Sequence, residues 1–170
     1  VWNAVTLQCR GLIRNKTTHQ IVARGLPKFF NYFETDPASI PNLPFTVDDK
    51  MDGSCGILYW NYITNKPCIA TRGSFVSKQA VHATRLLQTK YAAAANLLDP
   101  KVSYIFEIVY PANRIVVNYG KVDDIFLICA FENDTGVEIP RASLGHLPFP
   151  HVKSFDGLTS MSQILAIQDP

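Results

Sequence analysis

Lys50-Met51-Asp52-Gly53-Ser54-Cys55-Gly56-Ile57-Leu58-Tyr59-Trp60 runs from a single lysine through a glycine-punctuated turn into an apolar stretch of β character. The residues before it, Thr46-Val47-Asp48-Asp49, read as a short strand whose end delivers Lys50 to the turn. Gly53 and Gly56 let a backbone approach a ligand closely, and Ser54 places a hydroxyl beside them. A lysine becomes a nucleophile only when its ammonium, which ordinarily titrates near about 10.4, sheds a proton close to neutrality through burial or neighbouring cations. Lys50 is therefore a candidate for covalent chemistry. The competing reading is a solvated Asp-Gly surface turn, and the surrounding sequence has to decide between them.

Outward from this turn, short β-type runs dominate: Ala4 to Cys9, Gln20 to Ala23, Gly56 to Tyr62, Cys68 to Thr71, Tyr104 to Val109, Ile115 to Asn118 and Ile125 to Phe131. Turn clusters such as Asn61 to Pro67 and Asn133 to Gly136 give hairpin spacing, which predicts antiparallel pairing. A helix is expected from Ser77, as N-cap, to Leu98, where Asp99-Pro100 stops it. Ala80, Thr84, Leu87, Tyr91, Ala94 and Leu98 form its apolar stripe, and Lys78, Arg85 and Lys90 lie on other faces. A shorter helix is expected near Ser160, including Ile164 and Leu165. One helix between strand-rich blocks predicts an α+β class with antiparallel β-sheets and packed helices.

The 170 residues are 47% hydrophobic, enough for a single domain over 1–170 that buries about 70% of its unfolded surface. A net charge of +2 is too small to imply a polyanion partner by itself, so any such binding has to be local. Cys9, Cys55, Cys68 and Cys129 lack zinc-type spacing, which predicts free thiols in a reducing, cytoplasmic setting. No stretch approaches the roughly 20 apolar residues of a membrane span. Asn15 and Asn133 head Asn-x-Thr triplets and read as turn residues. The start at Val1 and the end at Pro170 suggest a fragment.

Chemistry on a nucleoside triphosphate needs cations at the phosphates, an acceptor for ribose hydroxyls or a hydrated metal, and an apolar slot for the base. Arg72 precedes Gly73 at the end of a strand, from where a guanidinium fork reaches phosphate or sugar oxygens. Arg10 stands before Gly11, and Lys28 beside Phe29-Phe30. Glu107 interrupts the apolar run Tyr104 to Val109, and its same-face neighbours Ile105 and Val109 are apolar. A carboxylate in that position needs a cation, a metal-bound water or a hydroxyl.

The series Cys9-Arg10-Gly11, Lys28-Phe29-Phe30-Asn31, Lys50-Met51-Asp52-Gly53-Ser54, Arg72-Gly73-Ser74 and Phe106-Glu107-Ile108-Val109-Tyr110-Pro111-Ala112-Asn113-Arg114-Ile115-Val116 resembles the phage-type, tRNA-repair class of ATP-dependent RNA ligases. These are covalent nucleotidyltransferases, related to DNA ligases and capping guanylyltransferases and built on an ATP-grasp-like ligase domain. The resemblance implies that Lys50 takes AMP from ATP and passes it to an RNA 5′-phosphate, after which an RNA 3′-hydroxyl displaces AMP. It implies magnesium or manganese as the metal, with Glu107 as its contact or that of the ribose. It assigns Arg10 and Lys28 to the triphosphate, Arg72 to the cation after the nucleophile, and Asp49, Asp52 and Gly53 to the nucleotide-binding turn. Phe126 or Phe131 would line the base. The partners implied are RNA with 5′-phosphate and 3′-hydroxyl ends and an end-healing kinase/phosphatase, with the protein a monomer.

Two departures accompany the resemblance. The Glu-Gly-x-Val strand and Lys-x-Lys pair expected downstream do not occur before Pro170, nor does a C-terminal RNA-specificity domain. DNA ligases and capping enzymes usually carry an arginine where Cys55 stands. The alternatives are therefore a DNA ligase or capping-type transferase, and a nucleotide- or RNA-binding domain without turnover.

Overall fold

The computed structural model describes residues 2–167. In chain order the strands are β1 (Ile13–Arg14), β2 (Ile21–Ala23), β3 (Val47–Asp48), β4 (Ser54–Asn61), β5 (Lys66–Thr71), β6 (Val102–Val109), β7 (Asp124–Glu132) and β8 (Ser154–Phe155). The helices are α1 (Lys78–Gln88) and α2 (Met161–Leu165), joined by several short 3-10 turns. The described chain forms two compact units, residues 2–28 with 52–151 and residues 29–51 with 152–167.

The larger unit is organised by one antiparallel sheet in the order β5-β4-β6-β7. Period-two alternation assigns its side chains to two faces. On one face Leu58, Ile69, Phe106, Ile108, Ile125 and Leu127 pack beneath α1, Tyr91, Leu98 and Phe149. On the other, Ile57, Ile105, Cys129 and Phe131 pack with Ala23 of β2. The expected α+β antiparallel class is the observed one. The hairpin from β4 to β5 turns where Asn61 Oδ1 accepts the amides of Ile63 and Thr64, at 2.9 and 3.3 Å.

A polar knot fastens β2 to the sheet. Ser103 and Asn133 are buried and hydrogen-bonded to each other, and Arg24 N donates to Ser103 Oγ at 2.7 Å. Asn133 Nδ2 donates to the carbonyls of Val22 and Pro100 at 3.0 and 3.2 Å. Asn133 follows β7 in the expected turn, with its side chain consumed inside the fold. Asn15 caps the β1–β2 turn by accepting from the amides of Thr17 and Thr18.

Three sequence expectations are corrected. Ala4 to Cys9 is a 3-10 turn over Thr6–Cys9, because Asn3 Oδ1 takes the amides of Val5 and Thr6 and starts a turn. The expected helix to Leu98 ends at Gln88: Thr89 Oγ1 donates to the Arg85 carbonyl at 2.7 Å, and a 3-10 segment, Ala92–Asn96, follows. Tyr91 between them donates its hydroxyl to Asp124 Oδ1 at 2.6 Å. Ile115 to Asn118 is no strand, because the Val116 and Val117 amides go to the Asp52 carboxylate rather than to a ladder.

In the smaller unit β3 pairs antiparallel with β8, and Asp49 N donates to Lys153 O at 2.7 Å. α2 starts at Ser160, whose side chain and that of Gln163 form a capping box. No helix among the described residues is long and apolar enough to cross a membrane.

Candidate functional site

Glu107 owes its position to register. Cys55 of β4 pairs with Glu107 of β6, which pairs in turn with Phe126 of β7. Directly opposed residues share a face, so these three make one cross-strand row. A bulge in β7, where Cys129 opposes Ile105 and Leu127 opposes Phe106, brings Phe126 opposite Glu107 in place of Leu127. Glu107 Oε1 accepts the amide of Gly53 at 2.8 Å. A Cβ at Gly53 would stand 2.5 Å from the Ile108 carbonyl oxygen, so the approach needs glycine. Of the two aromatics considered for a base pocket, Phe126 is half-buried in the Glu107 row, and Phe131 is buried in the core with Ile57 and Ile105.

The cations converge from three separate parts of the chain. Arg10, Lys28 and Arg72 line one cleft of about 370 Å³ together with Trp2, Thr6 and Cys9. Two contacts assemble it. Lys28 N donates to Leu7 O at 2.8 Å, and Gly25 passes so near Arg10 that a Cβ there would lie 2.2 Å from its carbonyl oxygen. Gly11, at a φ of +78°, turns the chain against the backbone of Arg72. Trp2 is not among the residues the sequence singled out, and Cys9 entered only as the neighbour of Arg10 in Cys9-Arg10-Gly11; the fold of the first 28 residues brings Trp2 there.

Cys55 records the electrostatics of the row. Burial first, and then the Glu107 charge, push its thiol up to about 11, while Arg10 and Arg72 pull the other way. Arg10, Arg72 and Glu107 therefore act on a single partly buried sulfur, and that sulfur stays protonated at neutral pH.

The Asp-Gly turn is held from the loop after β6, whose residues Tyr110 to Val116 entered the resemblance without any role beyond Glu107's strand. The Asp52 carboxylate accepts from Val116 N and Val117 N at 2.6 and 2.7 Å, and Asp52 N donates to Tyr119 Oη at 2.9 Å. Asn113 Nδ2 donates to Ser54 Oγ at 3.1 Å. Lys50 and Asp49, both exposed, belong to the smaller unit, where the Asp49 amide is tied to Lys153.

Among the described residues there is no cluster of three or more metal-ligating side chains. Magnesium commonly takes one or two protein carboxylates and fills its shell with water and substrate phosphate, so an acid such as Glu107 near a cation-lined cleft suits it.

Comparison with known proteins is consistent with this arrangement. Residues 8–155 match the family model described as RNA ligase. The chain is 24% identical over 184 residues to a protein of Autographa californica nuclear polyhedrosis virus provisionally named a bifunctional polynucleotide kinase/RNA ligase, a match covering 89% of the chain and 25% of the relative. It is 25% identical over 135 residues to a provisionally named RNA ligase of Thermovibrio ammonificans, covering 76% and 35%. The chain thus spans about a quarter to a third of these curated relatives. Among solved structures, an archaeal ATP-dependent RNA ligase in its form 1 aligns over 83% of the chain and 39% of its own, with a TM-score of 0.60 at 19% identity, which shows a shared fold. With the model match extending over most of its length, the chain belongs to the RNA ligase family.

Proposed function

We propose that the chain forms part of the adenylation domain of an ATP-dependent RNA ligase that joins 5′-phosphate and 3′-hydroxyl RNA ends in RNA or tRNA repair. The Lys50 amine, having released a proton, attacks the α-phosphorus of ATP. A P–N bond forms, the bond to the bridging oxygen breaks, and pyrophosphate leaves. A 5′-phosphate oxygen of RNA then takes the AMP and frees the lysine, and the RNA 3′-hydroxyl displaces AMP as the phosphodiester forms. Covalent storage divides one difficult condensation into easier steps.

Arg10, Lys28 and Arg72 hold the triphosphate and its developing charge, and Glu107 fixes a ribose hydroxyl or magnesium. Magnesium, when bound, neutralises phosphate charge and favours the neutral amine of a nearby lysine. Phe126, in the row of Glu107, offers its ring to the base. Asp49 and Asp52 flank the nucleophile, and Gly53 admits the close backbone approach.

The observation that carries this reading is the meeting of Arg10, Lys28 and Arg72 on one cleft, with Arg10, Arg72 and Glu107 sharing the surroundings of Cys55. The viral relative's name, which joins an end-healing kinase to a ligase, supports the repair role.

The test is incubation of the full-length protein with α-labelled ATP and magnesium. Label should stay on the wild type and vanish in Lys50→Ala, and labelled GTP should not substitute. ATP should also slow alkylation of the exposed Cys9, which lines the cleft. Protection of Cys9 without any label would favour a binding domain that lacks turnover. Sealing of nicked DNA with no joining of 5′-phosphorylated RNA would sink the RNA assignment.

A further inference from the structure

We propose that residues 110–119 are a clamp on the Asp52–Ser54 turn, and that Tyr119 and Asn113 are positioning residues that set the rate of lysine adenylation. The proposal rests on the ligase reading for its chemistry and on contacts within the larger unit for its geometry.

The loop is anchored at its back to α1. Gln79 Nε2 donates to Asn113 Oδ1 at 3.0 Å. Three residues on, along the same helix face, His82 stacks on Tyr110 with ring centroids 4.0 Å apart and bonds Asp123 at 2.6 Å. At its front the loop grips the turn. Tyr119 Oη takes the Asp52 amide, the Asp52 carboxylate takes two loop amides, and Asn113 bridges Ser54 Oγ and the Ile108 carbonyl.

Polar contacts carry this grip, not apolar packing. Ile115 and Val116 at the loop's tip are 58% and 72% exposed. A cavity of about 210 Å³, lined by Asp52, Tyr110, Asn113, Arg114 and Tyr119 among others, lies beneath the loop. With little buried apolar surface to hold it, the loop depends on individual hydrogen bonds, and deleting one reaches the turn. Lys50 lies two residues upstream of Asp52 in the chain, so holding the turn in one backbone conformation restrains the main chain that joins the two. A loose turn should slow attack without weakening the cation cleft, which is built from other residues.

The test measures single-turnover formation of lysyl-AMP against ATP concentration in the full-length protein, for wild type, Tyr119→Phe, Asn113→Ala and the control Tyr62→Phe in the exposed hairpin. The maximal rate should fall about tenfold in Tyr119→Phe and Asn113→Ala, the effect of one ordinary hydrogen bond withheld from the transition state, with half-saturating ATP unchanged. Amide exchange at Asp52 should quicken in Tyr119→Phe, and Tyr62→Phe should match wild type. Wild-type rates in both loop variants overturn the proposal. So does a raised half-saturating ATP at an unchanged maximal rate, or a lowered melting temperature with a normal rate in the folded fraction. If the wild type never takes label, the ligase reading fails first. Asp52 exchange then judges the contact alone, and an unchanged rate in Tyr119→Phe removes it too.

Discussion

Ser103 and Glu107 stand four residues apart on the same face of β6, and they use their oxygens in opposite ways. Ser103 is fully buried, and its hydroxyl is spent inside the fold, on Asn133 and on the Arg24 amide. Glu107, two residues beyond the buried Ile105, is only half-buried, accepts the Gly53 amide and shares its surroundings with Arg10 and Arg72. A buried polar group whose partners are all internal holds elements together. A charged group at the margin of the core, beside cations that line a cleft, is placed to meet a ligand. One strand thus carries a fastening at one end and a site at the other, with a single isoleucine between them.

The strongest test of that contrast uses the two aromatics of β7. Phe131→Ala, opposite Ser103 and buried, should lose about 3–5 kcal/mol of stability in denaturant melts. Phe126→Ala, opposite Glu107, should melt close to wild type. Next, Glu107→Gln should reduce lysyl-AMP formation by about a hundredfold or more, close to 2.7 kcal/mol at the transition state, with little change in melting temperature. A large stability loss with normal adenylation would reverse the assignment. Asn133→Ala should remove about 1–3 kcal/mol of stability by taking the acceptor from the Ser103 hydroxyl proton and the donor from two carbonyls, with adenylation per folded molecule intact.

The smallest effect concerns pH. Burial, and then Arg141, lower the His151 pKa below its ordinary 6.5, and its Nε2 is buried with no hydrogen-bond partner among the described residues. The unfolded chain then takes up this proton more readily than the folded one. Stability is therefore full above 6.5 and declines as pH falls through that value toward the lowered one. Melting scans from pH 7.5 down to 5.5 should show a shallow loss that His151→Phe abolishes.

The sheet was legible because its signals are local. Unbroken apolar runs such as Gly56 to Tyr62 and Tyr104 to Val109 mark strands, and the Asn61 to Pro67 turn reports a hairpin. The errors fell where side chains compete with the backbone for its own hydrogen bonds. Asn3 turned an expected strand into a 3-10 turn, Thr89 ended a helix that alanine-rich sequence would have continued, and Asp52 took the amides of a predicted strand at 116 and 117. Propensity cannot see a carboxylate 64 residues away.

The candidate site divides in the same way. Glu107 drew attention as an acid inside an apolar strand, whereas Lys50-Met51-Asp52-Gly53, a string that also suits an ordinary surface turn, needed the cations and Glu107 elsewhere in the sequence to set it apart. Tyr119, Asn113, Trp2 and Cys9 carry no such mark. That Phe126 and not Leu127 stands opposite Glu107 turned on one bulged residue in β7, which shifts the pairing from that point on, while Phe131 lies opposite Ser103 four residues away along β6.

By itself the sequence determined the α+β antiparallel class, the turn at Lys50 and the charged residues worth following, because apolar runs, glycine and an out-of-place acid act through near neighbours. Only the tertiary structure decided that Arg10, Lys28 and Arg72 share a cleft, that Phe126 and not Phe131 faces the row of Glu107, and that residues 110–119 grip the turn. Those relations depend on register and on hydrogen bonds between distant segments, which exist only once the sheet has paired.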